Sequence, residues 1–269
     1  MNRAVILARG LGRRMRQAVP GATLSPDQDA AAGQGIKGMI PIGRPFLDFL
    51  LSALADAGFT EVCLVIGPEH ESVRDYYGAP ARLHRIAVSF AVQAEPRGTA
   101  DAVLAAEQFA GGEYFLVCNA DNYYPAHVLA ALRALEGPGL AGFEREALVE
   151  RSNIPADRVN QFALLAEGPG GRLVDIVEKP DAATAARFGP AARVSMNAWV
   201  FGPDIFEACR RVAPSVRGEL ELQDAVRYAI NVLGTRFAVV PVRAGVLDLS
   251  NRGDIAAVAE RLKDTEVRL

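Results

Sequence analysis

In the first half of the chain, short unbroken apolar runs alternate with helical spacings. Residues 4–8, 61–67 and 114–118 are continuous apolar stretches bounded by glycine, proline or polar residues, the pattern of strands covered on both faces. Between the first two, Phe46, Phe49, Leu50, Ala53, Leu54 and Ala57 recur at helical spacing, and Gly58 supplies a stop. A polar helix is expected over 71–77, a strand over 86–92, a helix over 99–109, and another from Pro125 to about Leu135. This βαβα alternation predicts an α/β fold with three α/β/α layers, doubly wound around a mostly parallel sheet.

The second half is patterned differently. Strands are expected over 140–149, 161–166, 172–177, 193–201 and 236–242, with a glycine-rich turn at 167–171. Helices are expected over 204–211, 222–233 and 254–263. No linker forces a boundary. One domain over 1–269 is expected, with a ligand-binding half at 1–135 and a second half, 136–269, that extends the sheet and walls one side of its crevice.

Composition narrows the function classes. The 269 residues are half apolar, with a net charge of −3, which argues against a general nucleic-acid binder. No apolar stretch approaches membrane-spanning length, and the run at 4–8 is too short for an export signal. Cys63, Cys118 and Cys209 have no metal-site spacing. Buried free thiols and a reducing cytoplasmic location are expected.

The chemistry concentrates behind the strand ends. Arg9-Gly-Leu-Gly-Arg-Arg-Met-Arg16 follows the first strand directly. Glycines there let the backbone approach a ligand, while arginines pair bidentately with phosphate oxygens, so the loop points to a polyphosphate. Segment 17–36, long and rich in Gly, Ala and Asp, is expected to be mobile and to close over that ligand. Gln93 and Asp121 also follow strands, and Asp248 follows a further apolar run, so they face one crevice on a doubly wound sheet. Two carboxylates at strand ends suit magnesium, which completes its shell with phosphate and water.

Read together, these segments resemble the sugar-1-phosphate nucleotidylyltransferases, whose fold is a Rossmann-like, GT-A-like sheet. Residues 6–15 resemble the L-A-[AG]-G-x-G-T-R-[LM] signature, and Lys37 to Pro45 the K-x-[ML]-x-P-[IV]-x-x-[KR]-P segment. Gln93, Pro96 and Gly98 resemble Q-x-x-P-x-G. Ala120-Asp121-Asn122 resembles G-D-N, Glu178-Lys179-Pro180 matches E-K-P, Arg217 to Asp224 resembles R-G-E-[LY]-E-I-T-D, and Val246 to Asp248 resembles W-x-D.

The resemblance implies an enzyme of nucleotide-sugar biosynthesis, with 1–135 as its nucleotide-binding half and 136–269 as its acceptor-binding half. Its partners would be a nucleoside triphosphate and a phosphorylated acceptor, its cofactor Mg²⁺, and oligomers of identical chains are common in the family. The implied catalytic set is Arg14, Lys37, Asp121, Lys179 and Asp248, with Asp121 and Asp248 holding the metal. Leu7, Ala8, Gly10, Gly12, Arg13, Arg14, Gln93, Gly98 and Asp121 would bind the nucleotide. Asn122, Asn160, Glu178, Lys179 and Asn197 would bind the acceptor. The family chemistry needs no general base, so His70, His84 and His127 are expected at the surface.

Several positions depart from the family pattern. Arg9 replaces a small residue and brings bulk near the expected nucleotide, and Arg13 replaces Thr. Asn160 stands for the glycine of R-[YF]-G, Asn197-Ala198 replaces T-G, and Leu249-Ser-Asn251 replaces T-G-T. Two alternatives therefore accompany the main reading: a non-sugar acceptor such as phosphocholine, and a catalytically silent subunit that binds nucleotide sugars.

Overall fold

The computed structural model describes residues 1–79 and 83–269. The chain enters through β1 (Arg3–Leu7), α1 (Arg13–Arg16) and α2 (Pro26–Gln34), and a single 3₁₀ turn, Lys37–Met39, leads into α3 (Phe46–Asp56). β2 (Glu61–Ile66), α4 (Glu71–Tyr77), β3 (Ala87–Val92), α5 (Thr99–Ala105), α6 (Glu107–Ala110) and β4 (Phe115–Asn119) follow. A two-residue strand, β5 (Asn122–Tyr123), precedes α7 (Ala126–Arg133). The second half runs β6 (Gly139–Phe143), α8 (Arg145–Arg151), α9 (Ala156–Val159), β7 (Leu164–Gly168), β8 (Arg172–Val177), α10 (Ala182–Phe188) and β9 (Val194–Phe201). It closes with α11 (Asp204–Arg211), α12 (Leu222–Asn231), β10 (Ala238–Val242), β11 (Leu247–Asp248) and α13 (Asp254–Leu262).

Nine strands form one sheet in the order β3-β2-β1-β4-β9-β6-β10-β8-β7, and β11 pairs with β5 separately. β1 lies parallel between β2 and β4, so the winding direction reverses there. That reversal opens a crevice beyond the carboxyl end of β1, where ligands of doubly wound sheets bind. β9 runs antiparallel to both β4 and β6, and β10 returns parallel to β6. The sheet is parallel through its first four strands and mixed beyond.

Apolar layers cover both faces. Leu50, Leu54, Val128, Leu129 and Leu132, from α3 and α7, are buried against one face. Val103, Ile205, Phe206, Ala225 and Val226, from α5, α11 and α12, are buried against the other, around a fully buried Trp199. A third cluster joins Met15, Ala32, Phe46, Leu249, Ile255 and Val258. It seats the cationic loop and α2 on α13, beside the crevice.

Four expectations are corrected. Segment 17–36 is not a bare loop: α2 carries a capping box in which Ser25 Oγ accepts from the Gln28 backbone and Gln28 returns the bond, with Pro26 in the first turn. The strand expected over 140–149 stops at Phe143 and becomes α8, because apolar Ala147 and Leu148 suit the buried face of a helix equally well. Helix 99–109 breaks at Ala106. The glycine-rich turn at 167–171 closes a β7–β8 hairpin whose first strand starts at Leu164, not at 161. No helix among the described residues is long and apolar enough to cross a membrane.

Candidate active site

The crevice beyond β1 holds a cavity of about 460 Å³. Its walls are the backbone and side chains of residues 7–14, the turn at 36–39, Gln93 with Pro96 and Gly98, and residues 119–121. Leu7, Ala8, Gly10, Gly12, Arg13, Arg14, Lys37, Gln93, Gly98 and Asp121 are thereby brought together. Sheet hydrogen bonds set the rim: Ala8 N donates to Val65 O at 2.9 Å and Ala120 N to Leu7 O at 3.1 Å.

Two glycines are dictated by shape. Gly12 has φ +58°, and a Cβ there would lie 2.2 Å from Gly35 O, so the loop can close on the end of α2 only with glycine. Gly98 has φ +120°, and a Cβ there would lie 2.5 Å from the backbone N and O of Leu220. Segment 97–100 is indeed laced to Leu220, which donates to Arg97 O at 2.7 Å and accepts from Ala100 N at 2.9 Å. This contact brings Glu219 to the cavity wall.

Charges are distributed unevenly. Arg13 and Arg14 are exposed at the rim and form no ion pair with the described residues. Lys37 Nζ meets Asp121 Oδ2 at 2.8 Å, both partly buried. Asp248 is 5 % exposed and sits on β11 directly opposite Asn122 of β5. Leu249 N donates to Asp121 O at 2.8 Å, which brings the two aspartate-bearing segments side by side. Burial, then the nearby Asp121, push the Asp248 carboxyl above its ordinary range, against Arg158, Ser250 and Lys37. Such a pair of crowded carboxylates suits a divalent cation that finishes its shell on phosphate oxygens. Among the described residues no cluster of three or more acidic, histidine or cysteine side chains forms a metal site by itself.

Arg9 does not plug the cavity. Its side chain is buried across Gly67, where Nε donates to Gln93 O at 3.0 Å and Nη1 pairs with Glu69 Oε1 at 2.6 Å. His70 corrects another expectation: it is buried, not superficial, and its Nδ1 accepts from Gly67 N at 3.3 Å. Burial holds its imidazole below the ordinary range, as an acceptor requires. His84 and His127 are exposed. Gln93 is 4 % exposed, and its Nε2 donates to Gly98 O at 3.0 Å and Asp101 Oδ2 at 2.9 Å.

On the second half, Glu178 and Asn197 share a partner. Gln223 Nε2 reaches Glu178 Oε2 at 3.4 Å and Asn197 Oδ1 at 3.3 Å. Lys179 and Asn197 both adopt positive φ, 45° and 57°, conformations that side chains take at a cost where a site requires them. Glu178 is exposed at its surface, yet enough protein surrounds its carboxyl to push the pKa up, with Glu221 adding to this and Lys179 opposing. Asn122 is buried and donates to Asp248 Oδ1 at 3.2 Å. Asn160 does not line the cavity. It ends α9, bonds Arg145, and lines a separate groove with Val149 and Pro190.

Two residues escaped the sequence reading. Gln223 lies inside the Arg217–Asp224 segment but is not one of the residues that match its motif. Arg158 gave no signal beyond lying two residues before Asn160.

The sequence profile named nucleotidyl transferase matches residues 34–249. The chain belongs to the nucleotidyl transferase family. It is accordingly an enzyme of the nucleotidyltransferase class. A UTP–glucose-1-phosphate uridylyltransferase, AglF of Haloferax volcanii, is 27 % identical over 263 residues, covering 97 % of this chain and 96 % of the relative. A glucose-1-phosphate thymidylyltransferase of Streptomyces antibioticus is 28 % identical over 268 residues, covering 99 % of this chain and 68 % of the relative. Among solved structures, a UDP-glucose pyrophosphorylase complexed with UDP-glucose superposes with a TM-score of 0.74 at 18 % identity, covering 99 % of this chain and all of that one. That likeness establishes the shared fold.

Proposed function

We propose that this nucleotidyltransferase joins a nucleoside triphosphate to a sugar-1-phosphate with the help of Mg²⁺. A phosphate oxygen of the sugar attacks the α-phosphorus in line; the new P–O bond forms as the bond to the β-phosphate oxygen breaks. Pyrophosphate leaves, and the nucleotide sugar remains. The single observation that carries this reading is the Lys37–Asp121 pair, 2.8 Å apart in the same cavity as the glycine–arginine loop.

Each group has a defined task in such a transfer, where positioning and charge neutralisation supply the catalysis. Gln93 and Gly98 seat the nucleobase, and the loop at residues 8–12 admits the phosphates. Arg13 and Arg14 neutralise the departing pyrophosphate; Lys37 neutralises the α-phosphate. Lys179 grips the phosphate of the sugar, and Glu178, Asn197 and Gln223 bond its hydroxyls. Asp121 and Asp248 would hold magnesium, which supplies positive charge between the reacting phosphates. No proton need be removed from the attacking group, because a phosphate monoester is already anionic at neutral pH.

The acceptor side favours a sugar over phosphocholine. Glu178, Asn197 and Gln223 form a set of hydrogen-bonding groups, whereas a quaternary ammonium is recognised by aromatic faces. A silent binding subunit gives no reason for a lysine and two aspartates gathered at the strand ends. Pyrophosphate release tests the reading. Nucleoside triphosphates are crossed with sugar-1-phosphates and phosphocholine in Mg²⁺, with Lys37→Ala as the blank. Release with one sugar-1-phosphate, abolished by the substitution, is expected. Release with phosphocholine alone, or equal release by Lys37→Ala, contradicts it.

A further inference from the structure

Arg158 reaches the candidate metal site from α9, on the acceptor half of the chain. Its Nη2 lies 2.5 Å from Asp248 Oδ2, and its Nη1 lies 2.9 Å from Asp254 Oδ1. All three side chains are largely buried. Asp248 accepts further bonds from Asn122 Nδ2 at 3.2 Å and from Ser250 Oγ at 2.9 and 3.1 Å. An ionised carboxylate has about four lone-pair positions. Arg158, Ser250 and Asn122 occupy most of them, and Arg158 supplies the full positive charge.

Asp254 is fixed independently of Arg158. Its Oδ2 accepts from Ser250 N and Asn251 N, both at 2.9 Å, at the start of α13. The arginine can therefore keep its hold on Asp254 while its other nitrogen leaves Asp248. Its buried Nε has no acceptor among the described residues, so departure sacrifices one carboxylate contact and little else.

We propose that Arg158 is a tethered counter-ion that competes with the divalent cation for Asp248. It balances the buried carboxylate while the cation is away and pivots on Asp254 when the cation arrives. The inference rests on the reading of Asp121 and Asp248 as the cation's ligands. Its consequence is weak cation binding in the absence of nucleotide, because each carboxylate already has a basic partner. A bound triphosphate adds the oxygen ligands and negative charge that tip the exchange.

Mn²⁺ binding to the full chain without nucleotide, followed by loss of the free-ion paramagnetic resonance signal, tests this directly. Arg158→Gln should bind Mn²⁺ at least about tenfold more tightly than the unsubstituted protein, the scale on which neighbours of metal ligands tune affinity. Adding Asp248→Asn should remove the gain. Arg158→Lys, which keeps the charge but cannot fork between two carboxylates, should show part of the gain and covers the case in which Arg158→Gln fails to fold. Unchanged or weaker binding by a folded Arg158 variant, with Asp121→Asn still abolishing binding, overturns the counter-ion role alone. Binding indifferent to both Asp121→Asn and Asp248→Asn overturns the cation reading and this inference with it.

Discussion

Arg9 Nε donates to the backbone carbonyl oxygen of Gln93 at 3.0 Å. An arginine at a position expected to be small thus braces the segment assigned to the nucleobase, with Glu69 holding its other end. Arg9→Ala leaves that buried carbonyl without its donor, a loss of about 1–2 kcal/mol. The expected result is a KM for the triphosphate raised about tenfold with little change in kcat. Glu69→Gln should have a smaller effect, because Glu69 is half exposed and such ion pairs contribute little. An unchanged or lowered triphosphate KM in Arg9→Ala would show that the arginine obstructs rather than braces.

Gln223, bonded to Glu178 and Asn197, tests the proposed acceptor site apart from the proposed nucleotide site. Gln223→Ala should raise the KM for the sugar phosphate by about tenfold, the loss of one or two hydrogen bonds, and leave the triphosphate KM alone. Asn160→Ala should change neither, since Asn160 faces the Arg145 groove. Steady-state kinetics with each substrate varied in turn give the answer. A larger effect from Asn160 than from Gln223 would move the acceptor site to the other groove.

The contrast between these residues marks what the sequence made legible. The glycine–arginine loop, Gln93, Gly98 and Asp121 are legible because each lies in a segment that follows a parallel strand, and strand ends converge by topology, whereas Lys37, in the 3₁₀ turn after α2, is legible only through its motif. The second half was harder. Its antiparallel pairings place residues by register, and register is not written in local pattern. The α8 segment reads equally as strand because its apolar residues suit either element, and Asn160, placed by motif alone, ends α9 beside Arg145. Arg158 was hidden for a different reason: its partners lie 90 and 96 positions away, and nothing local announces a contact of that range.

Glu178 predicts a pH dependence of stability. Its folded-state pKa is raised above the ordinary 4.5, chiefly by the surrounding protein. The folded chain therefore binds that proton more tightly than the unfolded chain, and ionisation costs stability as pH rises from 4.5 through the folded value. Glu178→Gln removes this cost. Its Tm should exceed that of the unsubstituted protein near neutral pH, and the gap should shrink on acidification toward pH 4.5. A gap that is constant or that widens in acid contradicts the assignment.

The three thiols should be inert in the native state. Burial pushes Cys63 up to about 11 and Cys118 and Cys209 up to about 12, so almost no thiolate exists near pH 8. Iodoacetamide should leave the folded protein unlabelled and modify all three after denaturation, as mass spectrometry would read. Rapid labelling without denaturant would mean that the strands carrying Cys63 and Cys118 open readily.

The most direct measurement follows the α-phosphate itself. A triphosphate labelled at the α-phosphorus is incubated with a sugar-1-phosphate, Mg²⁺ and the enzyme, and the products are separated. In-line transfer predicts that all consumed label appears in the nucleotide sugar, matched mole for mole by unlabelled pyrophosphate. Label recovered as free nucleoside monophosphate or diphosphate, with the sugar phosphate untouched, would mean that the crevice hydrolyses its nucleotide and that the transfer assigned to it does not occur.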